Sequence, residues 1–570
     1  MASDIKPILY STSWLSLQIA NGDSTIYALS TATGRAAIAV VRISGPACAS
    51  IYQSLCPNTL LPKPRYAALR TLYDPTQPPT ANTILDAGAL VLYFPAPRTA
   101  TGEDILELHI HGGPAITKAV LSAIAQTNTT AQAVRYAEPG EFTRRAFMND
   151  RLSLPQIEAL GDTLSADTEQ QRRLAVRGSS DALLKRYEAW RQGLLYARGE
   201  LEALIDFSED QHFDESTEEL VSSVAGQVRT LGVQIGFHIA NASRGELLRN
   251  GIRVALLGAP NAGKSSLLNR VVGKEAAIVS TEQGTTRDIV DVGVDLGGWY
   301  CKLGDMAGIR AERSSGGEEV VIGAVEKEGI RRARERALES DVVIVVVSLE
   351  ATATGVGLFV EPEVLDAVND CVEAGKCLVV AINKCDKLHT ALENGVPQSL
   401  SDTIHGIFPS VSADRVFAIS CEEAQRGASS PNSTTDPGNL QAFLRGLIMI
   451  FEQIASPLGV EGDGTGQYDL SYWEDSLGVT HRQSSNLQRC LDHLDDFLSQ
   501  TSSAESPDDS SREKALGPLD ALAETEVDIV TAAEHLRFAA DMLAKITGKG
   551  ESGDVEDVLG VVFEKFCVGK

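Results

Sequence analysis

The sequence predicts a multidomain chain of mixed class, α/β and α+β, in which a nucleotide-binding domain is inserted in a helical domain and a smaller α+β domain precedes both. Three observations carry this. Gly258-Ala-Pro-Asn-Ala-Gly263-Lys264-Ser265 matches G-x-x-x-x-G-K-[ST] and follows the apolar run Val254 to Leu257, the pattern of a strand running into a phosphate-binding loop and a helix. Between Ile252 and about Ile454, short apolar runs alternate with helical stretches, as in a mostly parallel sheet wrapped by helices. Helical periodicity with few breakers occupies the residues on both sides of that block.

At 570 residues the chain has length for three or four domains. The predicted division is an N-terminal extension at 1–22, an α+β domain at 23–153, a first helical part at 154–249, the nucleotide-binding domain at 250–456 and a second helical part at 457–570. Nine cysteines without a C-x-x-C pair argue for free thiols in a reducing compartment, against both a zinc site and a disulfide framework. The net charge of -27 repels phosphate over the whole molecule, so a nucleic acid must be met locally or through another subunit. The longest apolar runs are strand-length, and no membrane span is expected. The first 22 residues hold one basic residue, Lys6, a weak presequence signal.

In chain order, Ala37 to Ile43 reads as a strand, Ser44-Gly-Pro46 breaks it, and Ala47 to Leu55 is helical. Ile105 to Ile110 reads as a strand ending at a Gly-Gly-Pro turn, a suitable edge for a ligand. Leu183, Leu184, Tyr187, Trp190, Leu194 and Leu195 recur at helical spacing. The acidic stretch 208–215 interrupts that helix as a solvated loop. Strands are expected at Val254–Leu257, Val290–Leu296, Tyr300–Leu303, Val342–Val347, Leu378–Ile382 and Val416–Ile419, with surface insertions at Arg313–Glu319 and Gln425–Asn439. Pro457 to Gly478 is Gly- and Asp-rich and reads as a linker. Helix returns with Leu487, Leu491, Leu494 and Leu498 on one face and Val530, Ala533, Ala540 and Leu543 on another, separated by a Ser- and Asp-rich insertion at about 499–515 with the composition of a disordered segment.

Chemistry is placed at the strand ends. Backbone N–H groups across Asn261, Ala262, Gly263, Lys264, Ser265 and Ser266 are aimed at phosphate oxygens, Lys264 reaches the terminal phosphates, and Ser265 offers a hydroxyl to Mg²⁺. Asp305-Met-Ala-Gly308 fits D-x-x-G, whose Asp lies near Mg²⁺ and whose Gly faces the γ-phosphate. Asn383-Lys384-Cys-Asp386 fits N-K-x-D, in which a carboxylate accepts two hydrogens from guanine that adenine cannot supply, so the nucleotide is GTP. Ser420 is expected near guanine O6, and Gly284-Thr-Thr-Arg-Asp288 supplies a switch threonine. The order of these elements is that of a Ras-like G domain. The position after D-x-x-G is Ile309 rather than a water-orienting glutamine, so hydrolysis needs another group, a partner or a cation.

Asn261, Gly284-Thr-Thr-Arg-Asp288, Asp305-Met-Ala-Gly-Ile-Arg310 and Val325-Glu-Lys-Glu-Gly-Ile-Arg-Arg-Ala333 together resemble the GTPase domain of the MnmE (TrmE) family. Thr33 to Gly45, Gly102 to Glu107, His111 to Pro114, Glu138 to Phe142 and the terminal Phe-Cys-Val-Gly-Lys570 extend the resemblance over about residues 23 to 570. It implies a tRNA-modifying GTPase that works with an FAD-containing MnmG-type partner to install an aminomethyl-type group at C5 of the wobble uridine (U34). It also implies a folate-binding and dimerisation domain at 23–153, a homodimer, a reduced folate as one-carbon source, and K⁺ activation of GTP hydrolysis.

By resemblance, Asn261 is a K⁺ ligand, Ser280, Glu282 and Thr285 surround that ion, and Ser265 and Thr286 hold Mg²⁺. Glu326 orients the hydrolytic water, a task open to a carboxylate. Arg42, Glu107, Arg151 and Lys570 belong to the folate site, where a glutamate can pair with the pterin and cations with its carboxylates, and Cys567 lies nearby and contributes to modification. Met306 replaces the family's usual threonine and Arg151 a lysine, and the stretch from Arg310 to Val325 is longer than the bacterial pattern. The insertions and extension fit a mitochondrial member. The competing reading is a regulatory or ribosome-assembly GTPase switch. Arg144-Arg145, Arg172-Arg173 and Arg331 to Arg334 are candidate tRNA contacts that solvated helix faces explain equally well.

Overall fold

The computed structural model describes residues 24–128, 133–207, 217–272, 277–282, 291–304, 322–352, 355–388, 398–427, 436–458, 470–501 and 528–549. The chain divides into two compact units, 1–161 with 541–570, and 162–540.

In the first unit, β1 (Thr25–Leu29), β2 (Ile38–Ser44), β3 (Ala68–Tyr73), β4 (Ile84–Phe94), β5 (Ile105–His111) and β6 (Val134–Tyr136) form one sheet in the order β3-β4-β5-β2-β1-β6. Neighbours are antiparallel except β1 with β6. Strand alternation sends Val41, Ile43, Leu106 and Leu108 to one face, where they pack with α1 (Cys48–Leu55) and α2 (Pro114–Gln126) in a single core. Pro114 stands at the first turn of α2, where its missing N–H costs nothing. The opposite face carries Ile26 and Ala28 against Phe142 of α3 (Glu141–Met148). Each large aliphatic buried this way contributes about 1.5–3 kcal/mol.

α4 (Leu154–Ser165) leads into the second unit, whose helices α5 (Glu169–Gly178), α6 (Asp181–Phe207) and α7 (Thr217–Asn250) precede the sheet. There follow β7 (Ile252–Leu257), α8 (Lys264–Arg270), β8 (Ala277–Glu282), β9 (Asp291–Leu296), β10 (Trp299–Leu303), α9 (Ile322–Glu339), β11 (Val342–Thr352), β12 (Gly355–Phe359), α10 (Pro362–Glu373), β13 (Cys377–Asn383), α11 (Gln398–Ile407), β14 (Val416–Ala418), α12 (Cys421–Gly427) and α13 (Leu440–Ala455). Helix returns with α14 (Leu470–Ser476), α15 (His481–Thr501) and α16 (Ile529–Thr547).

The strand order is β14-β13-β11-β7-β10-β9-β8, with β12 on β11. The pairs from β14 to β10 are parallel, and β9, β8 and β12 add antiparallel margins. The parallel centre explains the unbroken apolar run Val342 to Val347. Val342, Ile344 and Val346 enter the core on one side of the sheet, and Val343, Val345 and Val347 the core on the other. After β7 the chain builds β10 on one side of it and then crosses to β11 on the other, the switch point at which open α/β sheets bind ligands.

Four expectations need correction. Pro457 to Gly478 is not a linker throughout, because α14 buries Trp473 and Ser476. Trp473 lies 5.4 Å from the Phe237 ring, and Asn241 donates to Ser476 Oγ at 2.8 Å. Ser499 is not the start of a disordered insertion: α15 continues to the buried Thr501, whose hydroxyl donates to Phe497 O. Val530 is 58% exposed, whereas Ala533, Ala540 and Leu543 are buried. The helix after the phosphate loop, expected from Ser266 on, begins at Lys264, inside the motif. The extension 1–22, the acidic stretch 208–215, Arg313–Glu319 and most of the second insertion lie outside the described residues.

Candidate functional site

The C-terminal ends of β7, β13 and β14 bring the nucleotide motifs together. Gly258 (φ 156) and Gly263 (φ 101) bracket the phosphate loop, and a Cβ would meet Val346 O at 2.2 Å from the first and Asn383 Nδ2 at 2.0 Å from the second. Only glycine lets the loop lie this close to both neighbouring strands. Asn261 takes a left-handed conformation (φ 63) at the loop's turn and is exposed, whereas Ala262 is buried. Lys264 Nζ donates to Gly258 O at 2.6 Å and Ala259 O at 2.8 Å, which sets its charge over the loop. Ser265 is half-buried and Ser266 exposed in the first turn of α8, where backbone N–H groups have no intrahelical acceptor.

The guanine motif is built as one piece with this loop. Asn383 is buried; its Nδ2 donates to Ala262 O at 2.9 Å, and its Oδ1 accepts from Cys421 N at 3.3 Å. Its side chain therefore ties the guanine loop to the phosphate loop. Ser420, expected at guanine O6, is fully buried, and its hydroxyl donates to Asp386 Oδ1 at 2.7 Å while accepting from Glu423 N at 3.1 Å. That side chain orients the carboxylate. Lys384 takes φ 62 and places Nζ 3.4 Å from Glu350 Oε1. Burial pushes the Cys385 thiol up to about 12 and the Cys421 thiol up to about 11, so both flank the site as neutral groups.

Ser280 and Glu282 lie on β8 and Glu326 in the first half of α9; for these three only the backbone is described. Thr285, Thr286, Asp305, Gly308, Cys567 and Lys570 lie outside the described residues.

In the first unit, the register of β2 and β5 sets Arg42 directly opposite Glu107. Arg42 Nε and Nη2 each stand 2.9 Å from Glu107 Oε1, and His109 Nε2 is 3.4 Å from Oε2. The pair keeps side-chain exposures of 30% and 17%, so it is open to a ligand while Glu107 is oriented for acceptance. Arg151 Nε donates to Thr99 O at 2.9 Å. The pair sets a carboxylate acceptor beside a fixed cation.

Sequence reading missed a buried ionic network in the same unit. Arg145, proposed above as a tRNA contact, is 7% exposed. It donates to Glu103 Oε2 at 2.9 Å, Glu141 Oε1 at 3.2 Å and Ser24 O at 2.7 Å, and Arg135 Nη1 adds a bond to Glu141 Oε2 at 2.8 Å. Burial pushes the Glu141 carboxyl up, but the Arg135 hydrogen bond, the Glu138 N–H and the two guanidinium charges outweigh it and hold the carboxyl below its usual value. The i,i+4 spacing of Glu141 and Arg145 was the available signal. Arg172 and Arg173 both pair with Glu169, Arg331 with Glu335 and Arg334 with Asp370, weak surface pairs of exposed arginines.

Comparison with known proteins gives one consistent result. A family described as "GTP-binding protein TrmE N-terminus" matches residues 25–151, and one described as "MnmE helical domain" matches residues 154–567. The fission yeast (Schizosaccharomyces pombe) protein "tRNA modification GTPase mss1, mitochondrial" is 34% identical over 548 residues, 96% of this chain and 95% of that protein. "tRNA modification GTPase MnmE" of Parvibaculum lavamentivorans is 35% identical over 546 residues, 96% of this chain and all of that protein. The human "5-taurinomethyluridine-[tRNA] synthase subunit GTPB3, mitochondrial" is 35% identical over 552 residues, 96% of this chain and 93% of that protein.

Proposed function

The chain belongs to the MnmE/TrmE family of tRNA-modification GTPases, and from that premise we propose that it hydrolyses GTP in mitochondria during installation of an aminomethyl-type group at C5 of wobble uridine in tRNA. An FAD-containing MnmG-type protein is the proposed partner and a homodimer the proposed assembly. The mitochondrial address follows the names of the fission yeast and human relatives. No helix among the described residues is long and apolar enough to cross a membrane.

The observation that carries the GTPase reading is the coupling of base and phosphate recognition. Ser420 holds Asp386 as an acceptor, and Asn383 links that loop to the Ala262 carbonyl, so both ends of a guanine nucleotide are met by one preformed surface. Lys264 supplies positive charge to the phosphates once it leaves the loop carbonyls, and the first turn of α8 supplies N–H donors. Ser265 and Thr286 would hold Mg²⁺, which would supply charge neutralisation at the phosphates when bound. Asn261 offers an exposed amide oxygen to K⁺, with Ser280, Glu282 and Thr285 completing that loop, and Asp305 and Gly308 complete the γ-phosphate side. With Ile309 in the glutamine position, water orientation falls to Glu326.

GTP turnover by the full chain is expected to be strongly selective for K⁺ over Na⁺ at equal ionic strength, and Glu326→Ala to keep GTP affinity while losing most of that turnover. Equal slow rates in both salts would instead favour a regulatory switch activated from outside.

A reduced folate would supply the one-carbon unit, with Glu107 accepting from the pterin, Arg42 fixing Glu107, Arg151 and Lys570 holding carboxylates, and Cys567 nearby. Glu107→Ala is expected to weaken reduced-folate binding at least about tenfold, as loss of a charge-assisted bond does. Cys567→Ser is expected to bind folate normally yet lose modification. Unchanged folate binding by Glu107→Ala in a direct titration would remove the pterin from this pair.

A further inference from the structure

Two histidines and an aspartate converge in the second unit outside the nucleotide loops. His493 and Asp496 stand three apart on α15, hence on one face, and His535 comes from α16. One ligand-capable atom from each lies within 4.8 Å of the others. His535 Nδ1 is 3.7 Å from Asp496 Oδ2, and the two imidazole centroids are 5.8 Å apart. Nδ1 of both histidines is buried without a hydrogen-bond partner, although buried polar atoms ordinarily have one. The Asp496 side chain is 60% exposed, which leaves an open side for entry.

We propose that His493, Asp496 and His535 bind one divalent cation of the zinc class and thereby clip α15 to α16. Two imidazole nitrogens and one carboxylate oxygen are the donors that suit zinc, and Ca²⁺ and Mg²⁺ prefer all-oxygen sets. An i,i+3 pair from one helix joined by a histidine from its neighbour is a recurrent way for helix bundles to hold a metal. Ligands at about 2.0–2.1 Å from a tetrahedral ion are roughly 3.4 Å apart, so side-chain rotations alone bring the three atoms into place. The Gln500 amide lies 3.2 Å from His535 Nε2. When it presents its oxygen it accepts the Nε2 hydrogen, which leaves the Nδ1 lone pair for the ion. The fourth position falls to water on the Asp496 side. The ligands come from two helices well separated in sequence, α15 and α16, so the ion would close a long loop and stabilise the folded chain.

The test uses the full-length, nucleotide-free chain after chelator treatment, titrated with Zn²⁺ against a chromophoric chelator and with Co²⁺ by visible absorption. One equivalent of zinc per chain, low-micromolar or tighter, is expected, with cobalt d–d bands, no thiolate charge-transfer band and a raised unfolding temperature. His493→Gln and His535→Gln should each weaken zinc binding by at least about 100-fold, the upper range for loss of a supporting group and a lower bound for loss of a ligand. Asp496→Asn at an exposed position provides a variant expected to fold normally, and parental GTP turnover in all three verifies their folding. Zinc affinity unchanged in both histidine variants, a sulfur-to-cobalt band, or no saturable zinc binding overturns the proposal.

Discussion

Gly263→Ala is expected to reduce GTP affinity by on the order of 100-fold, equivalent to about 2.7 kcal/mol. The backbone at Gly263 has φ 101, and a Cβ placed there would meet Asn383 Nδ2 at 2.0 Å. A left-handed conformation costs an L-residue roughly 1–2 kcal/mol. Relieving the clash means moving Asn383, whose Nδ2 bond to Ala262 O joins the phosphate loop to the guanine loop. One methyl group therefore disturbs both ends of the nucleotide site. Gly406→Ala is the control, because Gly406 lies within α11 and a Cβ there meets nothing within 4 Å. Titration with a slowly hydrolysed GTP analogue separates the two variants. Affinity of Gly263→Ala within about threefold of the parent chain, a difference under 1 kcal/mol, would mean that the loop accommodates the methyl and that the linkage through Asn383 is dispensable.

The nucleotide site was legible because its information is local. Gly258 to Ser265 and Asn383 to Asp386 are contiguous, and each follows an apolar strand whose end fixes where the motif points. Val342 to Val347 was legible for the same reason, since residues buried on both faces of a parallel strand leave an uninterrupted apolar run. What the sequence hid depends on partners far along the chain. Pro457 to Gly478 has linker composition, yet Trp473 and Ser476 are covered by α7, more than two hundred residues upstream (Asn241 to Ser476 spans 235). Thr501 extends α15 beyond its leucine stripe because it is buried, a fact that the polarity of Ser499 and Gln500 conceals. Val530 fits the helical period but faces solvent at 58% exposure, since periodicity identifies a face without saying where its neighbours end. The Arg42–Glu107 pairing likewise needs the register of two strands 65 residues apart.

Arg145→Met is expected to destabilise the first unit by about 3–5 kcal/mol, the usual cost of removing one partner from a buried ion pair. Arginine in a charged run normally reads as surface, and the partners that hold this one inside include Glu103, 42 residues away, and Ser24, 121 residues away. Methionine retains much of the volume but none of the donors, so Glu103 loses its cation and Glu141 retains Arg135. The folded-state pKa of Glu141 is depressed below the usual glutamate value, so its charge contributes stability that is present above the ordinary carboxylate range and lost as pH falls through the folded value. Removing Arg145 takes away one cause of that depression. The gap in stability between the parent and Arg145→Met should therefore be widest near neutral pH and shrink as the carboxyl protonates in acid. Denaturant unfolding followed at pH 7 and again at pH 4, with GTP binding by the second unit as a check that it remains folded, measures both the size and the trend. A gap under about 1 kcal/mol at pH 7, the level of an exposed pair, would show that Arg145 is solvated in the folded chain, and a gap that widened in acid would assign the network's pH dependence to a group other than Glu141.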